Sequence, residues 1–304
     1  MFKNINLYRL PANLCLDAFD VENALATDMF APCGATQDKS MGWVPPRGEA
    51  NGALVEAVGG PWILKLMTET KSVPGAVVRA KAHEAADHIE ATTGRKVGKK
   101  QMKELREDAL LALLPQAFAK QVGTLVWIDR GRHLLVIDAS SQARLDDAVT
   151  ALVRSIDGIS MSLLQTAVAP QTAMAQWLVA EDVDGWPGDF SVERECELRS
   201  GDEDKAVVKF SRHHLCTPEI RKHVAEGKLP KRLAMSYAGR VAFTLTEGLQ
   251  LRRLAFLEGV FDGRGDDSGF DADVALATGE LGPMIDALID ALGGEFVMQT
   301  GGAL

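Results

Sequence analysis

Residues 124–138, TLVWIDRGRHLLVID, consist of two apolar runs with a short polar segment between them. Each run, 124–129 and 133–138, is rich in Leu, Val and Ile, and the β-branched residues among these favour strands. The connecting residues 130–132, Arg-Gly-Arg, contain a glycine of the kind that tight turns use. The segment therefore predicts a β-hairpin.

The segments on either side of this hairpin have the apolar spacing of helices. Upstream, 81–114 is the longest helical stretch in the chain. Gly94 and Gly98 break it into two helices, and Pro115 should stop the second. Downstream, 142–156 has apolar residues at helical spacing. The hairpin is thus expected to lie between helices.

The N-terminal part of the chain predicts two more strands, a helix and a loop. Residues 1–9 alternate between apolar and polar side chains like a strand, and 62–67 resembles a short strand. Residues 14–25 have the pattern of an amphipathic helix. The segment 30–46 contains too many Pro and Gly residues for regular structure, so we expect a loop that its apolar residues, Trp43 among them, hold against the core.

From about residue 167 onwards, the pattern changes to short strands separated by turn-forming residues. The predicted strands are 174–180, 193–198, 206–210, 232–237, 240–245 and 251–256. A helix is expected at 218–226 with Thr217 as its N-cap, and a last helix at 281–292 is closed by two glycines. Together these elements predict an α+β fold with mixed or antiparallel sheets and packed helices.

Length and composition are those of a globular protein. The chain has 304 residues, of which 46% are hydrophobic and 25% charged, enough for about two domains. Residues 1–9 lack the apolar segment of a signal peptide, and no apolar run reaches the ~20 residues that a transmembrane helix needs. We therefore expect a cytoplasmic protein.

Lysine and arginine concentrate in two short stretches of an otherwise acidic chain. Residues 95–106 contain six cations and one acid, and residues 205–232 contain eight cations and two acids, which gives local charges of +5 and +6. Since the net charge of the chain is −9, the remaining residues sum to −20. Clustered cations gain affinity for nucleic acid by releasing its counterions. The distribution therefore indicates an anionic partner, with DNA bound through its backbone and without sequence-specific readout.

The two basic stretches fall on different kinds of predicted element. In the first stretch, Lys99, Lys103 and Arg106 lie on one face of the second helix. The alternative to a nucleic-acid contact is that this face is an ordinary solvated surface. The second lies on strands and their connections, so its cations are expected at a sheet edge or in loops. Phe118 follows the stop at Pro115, and an exposed aromatic there could stack on a base or insert into a protein contact. The alternative is that the Phe118 side chain packs against the core under the loop.

Other functional classes have weaker support. The chain contains neither a GxxxxGK[ST] phosphate loop nor the HExxH and GxSxG motifs of hydrolases. Its cysteines are single, which favours buried free thiols and gives no indication of a metal or cofactor; they are Cys15, Cys33, Cys196 and Cys216. Two aspartate pairs, Asp129 with Asp138 and Asp271 with Asp273, leave open a metal-dependent nuclease. Acids at strand ends more often accept hydrogen bonds from the backbone N–H groups of turns. An interaction scaffold for an acidic protein partner is the third possibility.

Eight short strings occur along the chain in an order that resembles the family of the recombination-associated protein RdgC. They are FAPCG (30–34), MGWVPP (41–46), LLP (113–115), AF (117–118), WID (127–129), FDAD (270–273), TGEL (278–281) and LGGE (292–295). The resemblance covers nearly the whole chain, and ordered strings of this kind are far more specific than a single short motif.

This resemblance implies a homodimer closed into a ring, with duplex DNA passing through a positively charged hole without sequence preference. It implies a binding protein of the nucleoid that is not an enzyme. Such a protein limits access of the RecA recombinase to DNA, and so modulates recombination and replication-fork processing. Three parts are implied: a central domain of 1–75 with 122–166, a helical tip of 76–121 and a base domain of 167–304.

The resemblance also assigns roles to individual residues. DNA contacts are implied for Arg95 and Lys96 near the rim and lining of the ring, and for a second set comprising Lys209, Arg212, Lys228 and Arg232. Phe118 matches the aromatic of the dimer's tip contact. The charge of the helix adds Lys99, Lys100 and Lys103 to the predicted phosphate contacts. Two departures, Gln116 in place of an arginine and Ser211-Arg212 in place of two lysines, predict a different arrangement of charge and weaker DNA affinity.

Overall fold

The computed structural model of the protein describes residues 1–181, 185–202, 205–260 and 269–296. Within these residues the chain forms seven helices and a twelve-stranded sheet whose strand pairs are all antiparallel, which confirms the α+β class. The strands are β1 Ile5–Arg9, β2 Lys39–Val44, β3 Glu56–Ala57, β4 Trp62–Lys71, β5 Ala119–Asp129, β6 Leu134–Asp138, β7 Ser162–Leu163, β8 Phe190–Ser200, β9 Val207–Ser211, β10 Lys228–Tyr237, β11 Val241–Thr246 and β12 Leu251–Phe256. The helices are α1 Ala18–Ala26, α2 Gly75–Thr93, α3 Lys99–Leu113, α4 Gln142–Ser155, α5 Pro170–Val179, α6 Pro218–Ala225 and α7 Phe270–Ala291.

The first strand lies in the middle of this sheet. Neighbouring strands follow the order β2-β4-β5-β6-β1-β12-β11-β10-β8-β9, while β3 pairs with β4 and β7 with β1. On one side β1 pairs with β6 over its full length, and on the other Ile5 lies opposite Leu251 of β12. The predicted hairpin is confirmed as β5 and β6, in which Asp129 lies opposite Leu134.

Two hydrophobic clusters lie on opposite faces of the sheet. In β4, Trp62, Leu64 and Leu66 pack with α1 and α4, whereas Ile63 points to the other cluster, as the two-residue period of a strand requires. That other cluster joins β8–β12 to α5, α6 and α7. The opposite face of β8–β12 carries several polar side chains; Glu197 and Arg232 are opposed there on neighbouring strands.

Two predicted elements were wrong. Residues 174–180, expected as a strand, belong to α5, which starts with Pro170 in its first turn and buries Ala173, Met174, Trp177 and Leu178 at helical spacing. A short apolar run does not distinguish a buried helix from a strand. The expected loop 30–46 contains β2, because Lys39–Val44 pairs with β4 along its full length.

Several boundaries and caps also differ from expectation. Helix α1 begins at Ala18 because Asp17 caps it, accepting the N–H of Phe19 at 2.8 Å. Helix α7 begins at Phe270 rather than 281 and continues through Pro283. Thr217 occupies the N-cap position of α6, but its side chain makes no capping hydrogen bond. All four cysteines are free as predicted, but only Cys196 is buried and Cys15 is exposed.

None of the described helices has the length and apolar character needed to cross a membrane.

Candidate nucleic-acid interface

The first basic stretch lies on a helical hairpin inserted between β4 and β5. Helix α2 ends at Gly94, whose left-handed backbone (φ +68°) lets its N–H donate to the carbonyl of Glu90 at 2.8 Å. The chain then turns, and α3 begins after Gly98. Small buried residues, Ala82 and Ala86 on α2 and Ala109 on α3, allow the two helices to pack closely. The break predicted at the two glycines is confirmed.

The hairpin presents its cations to solvent. All six cations of 95–106 are exposed, and for Lys99, Lys103 and Arg106 this confirms the face that the helical spacing predicted. Lys103 has a weak partner, Glu107, at 3.7 Å. The other five form no ion pair within the described part of the chain; these are Arg95, Lys96, Lys99, Lys100 and Arg106. The surface therefore carries concentrated positive charge that the protein itself does not neutralise.

The position of Lys99 and Lys100 at the N-terminus of α3 strengthens the positive electrostatic potential of this surface. Lys99 and Lys100 occupy the first turn of α3, which contains no acid. The N-terminus of a helix carries a partial positive charge and unsatisfied N–H groups, so acids are favoured there and cations are not. Placing lysines at this end costs some helix stability but adds their charge to that of the helix dipole. A phosphate is the kind of group that such an end attracts.

The second basic set is divided between the two faces of the sheet. Lys209 lies on β9, the edge strand, where its ammonium is 3.4 Å from Glu197 of β8, and Glu197 in turn lies opposite Arg232 of β10. Arg212 is exposed just beyond β9. Lys228 instead faces α6, where its Nζ lies 3.0 Å from Glu226 Oε2 and 3.0 Å from His223 Nδ1. The hydrogen bond and charge of Lys228 lower the pKa of Glu226. The structure therefore brings Lys209 and Arg232 together and places Lys228 elsewhere.

Two arginines that the sequence reasoning missed, Arg252 and Arg253 of β12, also lie on this face and line the same pocket as Lys209 and Arg232. Their signal was the string Leu251-Arg-Arg-Leu254, in which both leucines are buried. Two polar residues between two buried ones break the alternation of a regular strand. An irregularity in the register with β11 accommodates the extra residue, and Arg253 has a positive φ of 53°.

Phe118 is the most exposed of the large apolar side chains that the structure describes, with 93% of its surface accessible. It follows the 3₁₀ turn Leu114–Gln116 and precedes β5. The alternative of packing under the loop is therefore wrong for this residue.

Three of the four aspartates considered for a nuclease, Asp129, Asp138 and Asp271, bind partners within the protein. Asp129 accepts the backbone N–H and the Nη1 of Arg132, both at 3.0 Å. Asp138 accepts the N–H of Asn4 at 2.7 Å, and burial raises its pKa. It lies four residues beyond Leu134, the partner of Asp129, so the two acids are about 13 Å apart along β6. Asp271 pairs with Arg47 at 2.5 Å.

The described residues also contain no group of three or more His, Cys, Asp or Glu side chains placed to hold a metal ion. Two-metal catalysis needs carboxylates that converge on neighbouring cations. Asp129 and Asp138 do not converge in this way.

Comparison with known proteins gives matches along almost the whole chain. The family model described as "Putative exonuclease, RdgC" matches residues 1–295. The chain is 42% identical over 299 residues to the recombination-associated protein RdgC of Herminiimonas arsenicoxydans, and 39% identical over 304 residues to that of Dechloromonas aromatica. The corresponding protein of Bordetella pertussis is 38% identical over 299 residues. Each alignment covers 97% of this chain and 98% of the relative.

Proposed function

This chain belongs to the RdgC family, and from that premise we propose that it is a recombination-associated protein that binds double-stranded DNA without sequence preference. The observation that carries the proposal is the set of exposed cations on the α2/α3 hairpin that have no internal partner. Cations of this kind contact phosphates, which repeat along any duplex. Lys209, Arg212 and Arg232 add charge on the sheet and its edge, and Lys228 is the least available of the predicted contacts.

We further propose that two copies close into a ring around the duplex, with the α2/α3 hairpin as the tip and Phe118 in the contact between tips. Support comes from the family resemblance and from the exposure of Phe118. A ring that covers DNA in the nucleoid limits the access of RecA and so restrains recombination and replication-fork processing. The same arrangement assigns 1–75 with 122–166 to a central domain and 167–304 to a base domain.

The test of DNA binding is fluorescence anisotropy with two labelled duplexes of unrelated sequence at several salt concentrations. We expect equal affinities for the two duplexes. If six phosphates are contacted, the plot of log K against log salt has a slope of about −5. Strong preference for one duplex, or absence of binding at low salt, would contradict the proposal.

Nuclease activity is the second candidate, because the description of the matching family model names an exonuclease. The proposal of a non-catalytic binding protein is favoured by the hydrogen bonds that already occupy Asp129 and Asp138 within the fold. Incubation of the protein with end-labelled linear duplex and with closed plasmid, each with Mg²⁺ or Mn²⁺, separates the two. Loss of label or nicking that co-purifies with the wild type and is absent from an Asp129→Asn, Asp138→Asn variant would establish the nuclease.

Closure of the ring predicts topological retention on DNA. Wild-type protein loaded on a covalently closed plasmid should resist a high-salt wash and should be lost after the plasmid is linearised, because a closed ring leaves only over an end. Phe118→Ala should lose this retention while changing the free energy of unfolding by no more than about 0.5 kcal/mol, since the side chain is exposed. The measurement is the protein that remains on bead-bound plasmid.

The matched control for this variant is Phe19→Ala on α1, which removes another exposed phenylalanine, 72% accessible, outside the hairpin. It should behave like the wild type. Equal loss of wild-type protein from circular and linear DNA would contradict encirclement, even if duplex binding itself is confirmed.

A further inference from the structure

The α2/α3 hairpin is attached to the sheet by a narrow stalk, which consists of 67–71 of β4 and 119–123 of β5. These two segments are paired with each other along their full length. Strand β6 pairs with β5 only over Val126–Asp129, so it does not reach the stalk. Among the described elements, α2 and α3 have extensive contacts only with each other and with the 3₁₀ turn Leu114–Gln116. The direction in which the hairpin points therefore depends on the stalk.

A loop that precedes β2 contacts the stalk. This loop, residues 31–38, is called the strap below; it connects the segment beside β2 with the start of β2 itself. Cys33 is half-buried, and all other residues of the strap are exposed. The strap thus buries little apolar surface, so its attachment depends on polar contacts.

Glu69 of β4 joins the strap to both strands of the stalk. Its side chain is buried, and its Oε1 accepts the backbone N–H of Cys33 at 2.8 Å while its Oε2 accepts Nε2 of Gln121 at 2.7 Å. Gln121 lies directly opposite Glu69 on β5. The hydrogen bonds from Gln121 and Cys33 lower the pKa of Glu69 despite its burial. The carboxylate is therefore ionised at neutral pH, and hydrogen bonds to an ionised acceptor are stronger than those between neutral groups.

Lys71 of β4 binds the same strap through its carbonyl groups. The Nζ of Lys71 donates to the carbonyl oxygen of Gly34 at 2.8 Å and to that of Cys33 at 3.3 Å, and its backbone N–H donates to the carbonyl oxygen of Asp38 at 2.7 Å. Glu69 and Lys71 thus hold the donor and the acceptor groups of one short stretch of backbone. Because Glu69 also binds Gln121, the strap is connected to β4 and β5 together and resists bending of the stalk.

We propose that Glu69 is a positioning residue for the ring. By fastening the strap, it holds the α2/α3 hairpin in the direction in which Phe118 reaches the other tip, and release of the strap lets the two tips separate so that the ring opens for DNA. This inference rests on the proposed function. Exposed segments with few buried contacts open locally at a much lower free energy than the core, and segments that move in function are drawn from them. The strap can therefore open without unfolding of the sheet.

The first test compares Glu69→Ala with the conservative variant Glu69→Gln. Glutamine keeps an acceptor for the N–H of Cys33, and the amide of Gln121 can rotate to accept its NH₂ group, whereas alanine keeps neither bond. Hydrogen–deuterium exchange of 31–38 should be roughly tenfold faster in Glu69→Ala, as expected from the loss of a hydrogen bond to a charged group, and within about threefold of the wild type in Glu69→Gln. Unchanged exchange in Glu69→Ala overturns the role of Glu69 in fastening the strap.

The second test measures opening of the ring on bead-bound, closed plasmid. If release of the strap limits opening, Glu69→Ala should load onto the plasmid roughly tenfold faster than the wild type and should leave it sooner in a high-salt wash by the same factor. Its affinity for a short linear duplex should equal that of the wild type, because the α3 cations are unchanged. A merely misfolded variant would instead lose duplex affinity. Unchanged loading and retention, or effects of equal size in Glu69→Gln, overturn the proposal.

Val241→Ala is the matched control for a general loss of stability. Val241 is buried in β11, in the other half of the sheet, so its truncation lowers the free energy of unfolding without contact to the strap. Loading and retention should be those of the wild type, and acceleration equal to that of Glu69→Ala would overturn the role of Glu69. If the wild type binds duplex but is not retained on closed plasmid, the ring of the proposed function fails; the exchange experiment still decides whether Glu69 fastens the strap.

Discussion

Charge reversal of two lysines on α3, Lys99→Glu with Lys103→Glu, is expected to lower affinity for duplex DNA by roughly 100-fold at moderate salt and to reduce the slope of log K against log salt by about 1.8. Both side chains are exposed, and Lys99 lies in the first turn of the helix, where the dipole adds to its charge. Reversal replaces attraction for phosphate with repulsion at two contacts. Fluorescence anisotropy over a salt series measures both quantities.

A control with the same change in net charge separates a local contact from a general effect of charge. Arg130→Glu with Lys39→Glu changes two exposed cations outside both basic stretches, one in the turn between β5 and β6 and one on β2. Long-range repulsion is screened beyond about 10 Å at 0.1 M salt, so this control should lose no more than about threefold. An equal loss in both double variants would show that net charge, and not the hairpin, determines binding.

Replacement of Gly42 by alanine is expected to destabilise the fold by about 3 kcal/mol, because a side chain there has no space. Gly42 lies in β2, and a Cβ at this position would be 2.5 Å from the backbone N and Cα of Phe30. The backbones are held this close by two hydrogen bonds, from Phe30 N to Trp43 O at 3.0 Å and from Trp43 N to Asp28 O at 2.9 Å. Urea denaturation monitored by tryptophan fluorescence measures the loss.

Gly279→Ala is the matched substitution, and it is expected to change the free energy of unfolding in the opposite direction. Gly279 lies within α7, is exposed, and a Cβ there would have no neighbour within 4 Å. Since glycine is a poor residue for a helix interior, alanine should stabilise the protein by up to about 1 kcal/mol. If Gly42→Ala were as harmless as Gly279→Ala, the close contact between β2 and residues 28–30 would be wrong.

Local patterns predicted those elements whose stability is also local. The break at Gly94 and Gly98 follows from backbone conformation, and the exposure of the α3 cations follows from helical periodicity. Strand β2 was missed because its pairing with β4 depends on a contact between distant segments rather than on the propensity of its own residues. The same holds for α5, whose apolar run became a helix through packing on β10.

The candidate site was harder to predict because strand irregularities decide which face a side chain occupies. Strict alternation would place Lys228 and Arg232 on the same face of β10. A register shift between Pro230 and Arg232 separates them, leaving Lys228 against α6 and Arg232 on the polar face. A second irregularity, in the pairing of β11 with β12, accompanies the exposure of Arg253. Sequence counting found the basic stretches, but counting charges does not register a bulge, whose extra residue changes the face on which the following side chains lie.

The central position of β1 has a consequence for how the protein is made. Ile5 leaves the ribosome first, yet its partner Leu251 is synthesised 246 residues later, and Glu295, which pairs with Arg9 at 2.6 Å, later still. At bacterial elongation rates of 5–20 residues per second, this delay is on the order of 10 to 50 s. During that time the hydrogen-bonding edge of β1 that faces β12 lacks its partner, and open strand edges are sites of aggregation. Until the C-terminal strands arrive, the N-terminal half of the nascent chain therefore depends on the strand pairs that it can form by itself, β4 with β5 and β5 with β6.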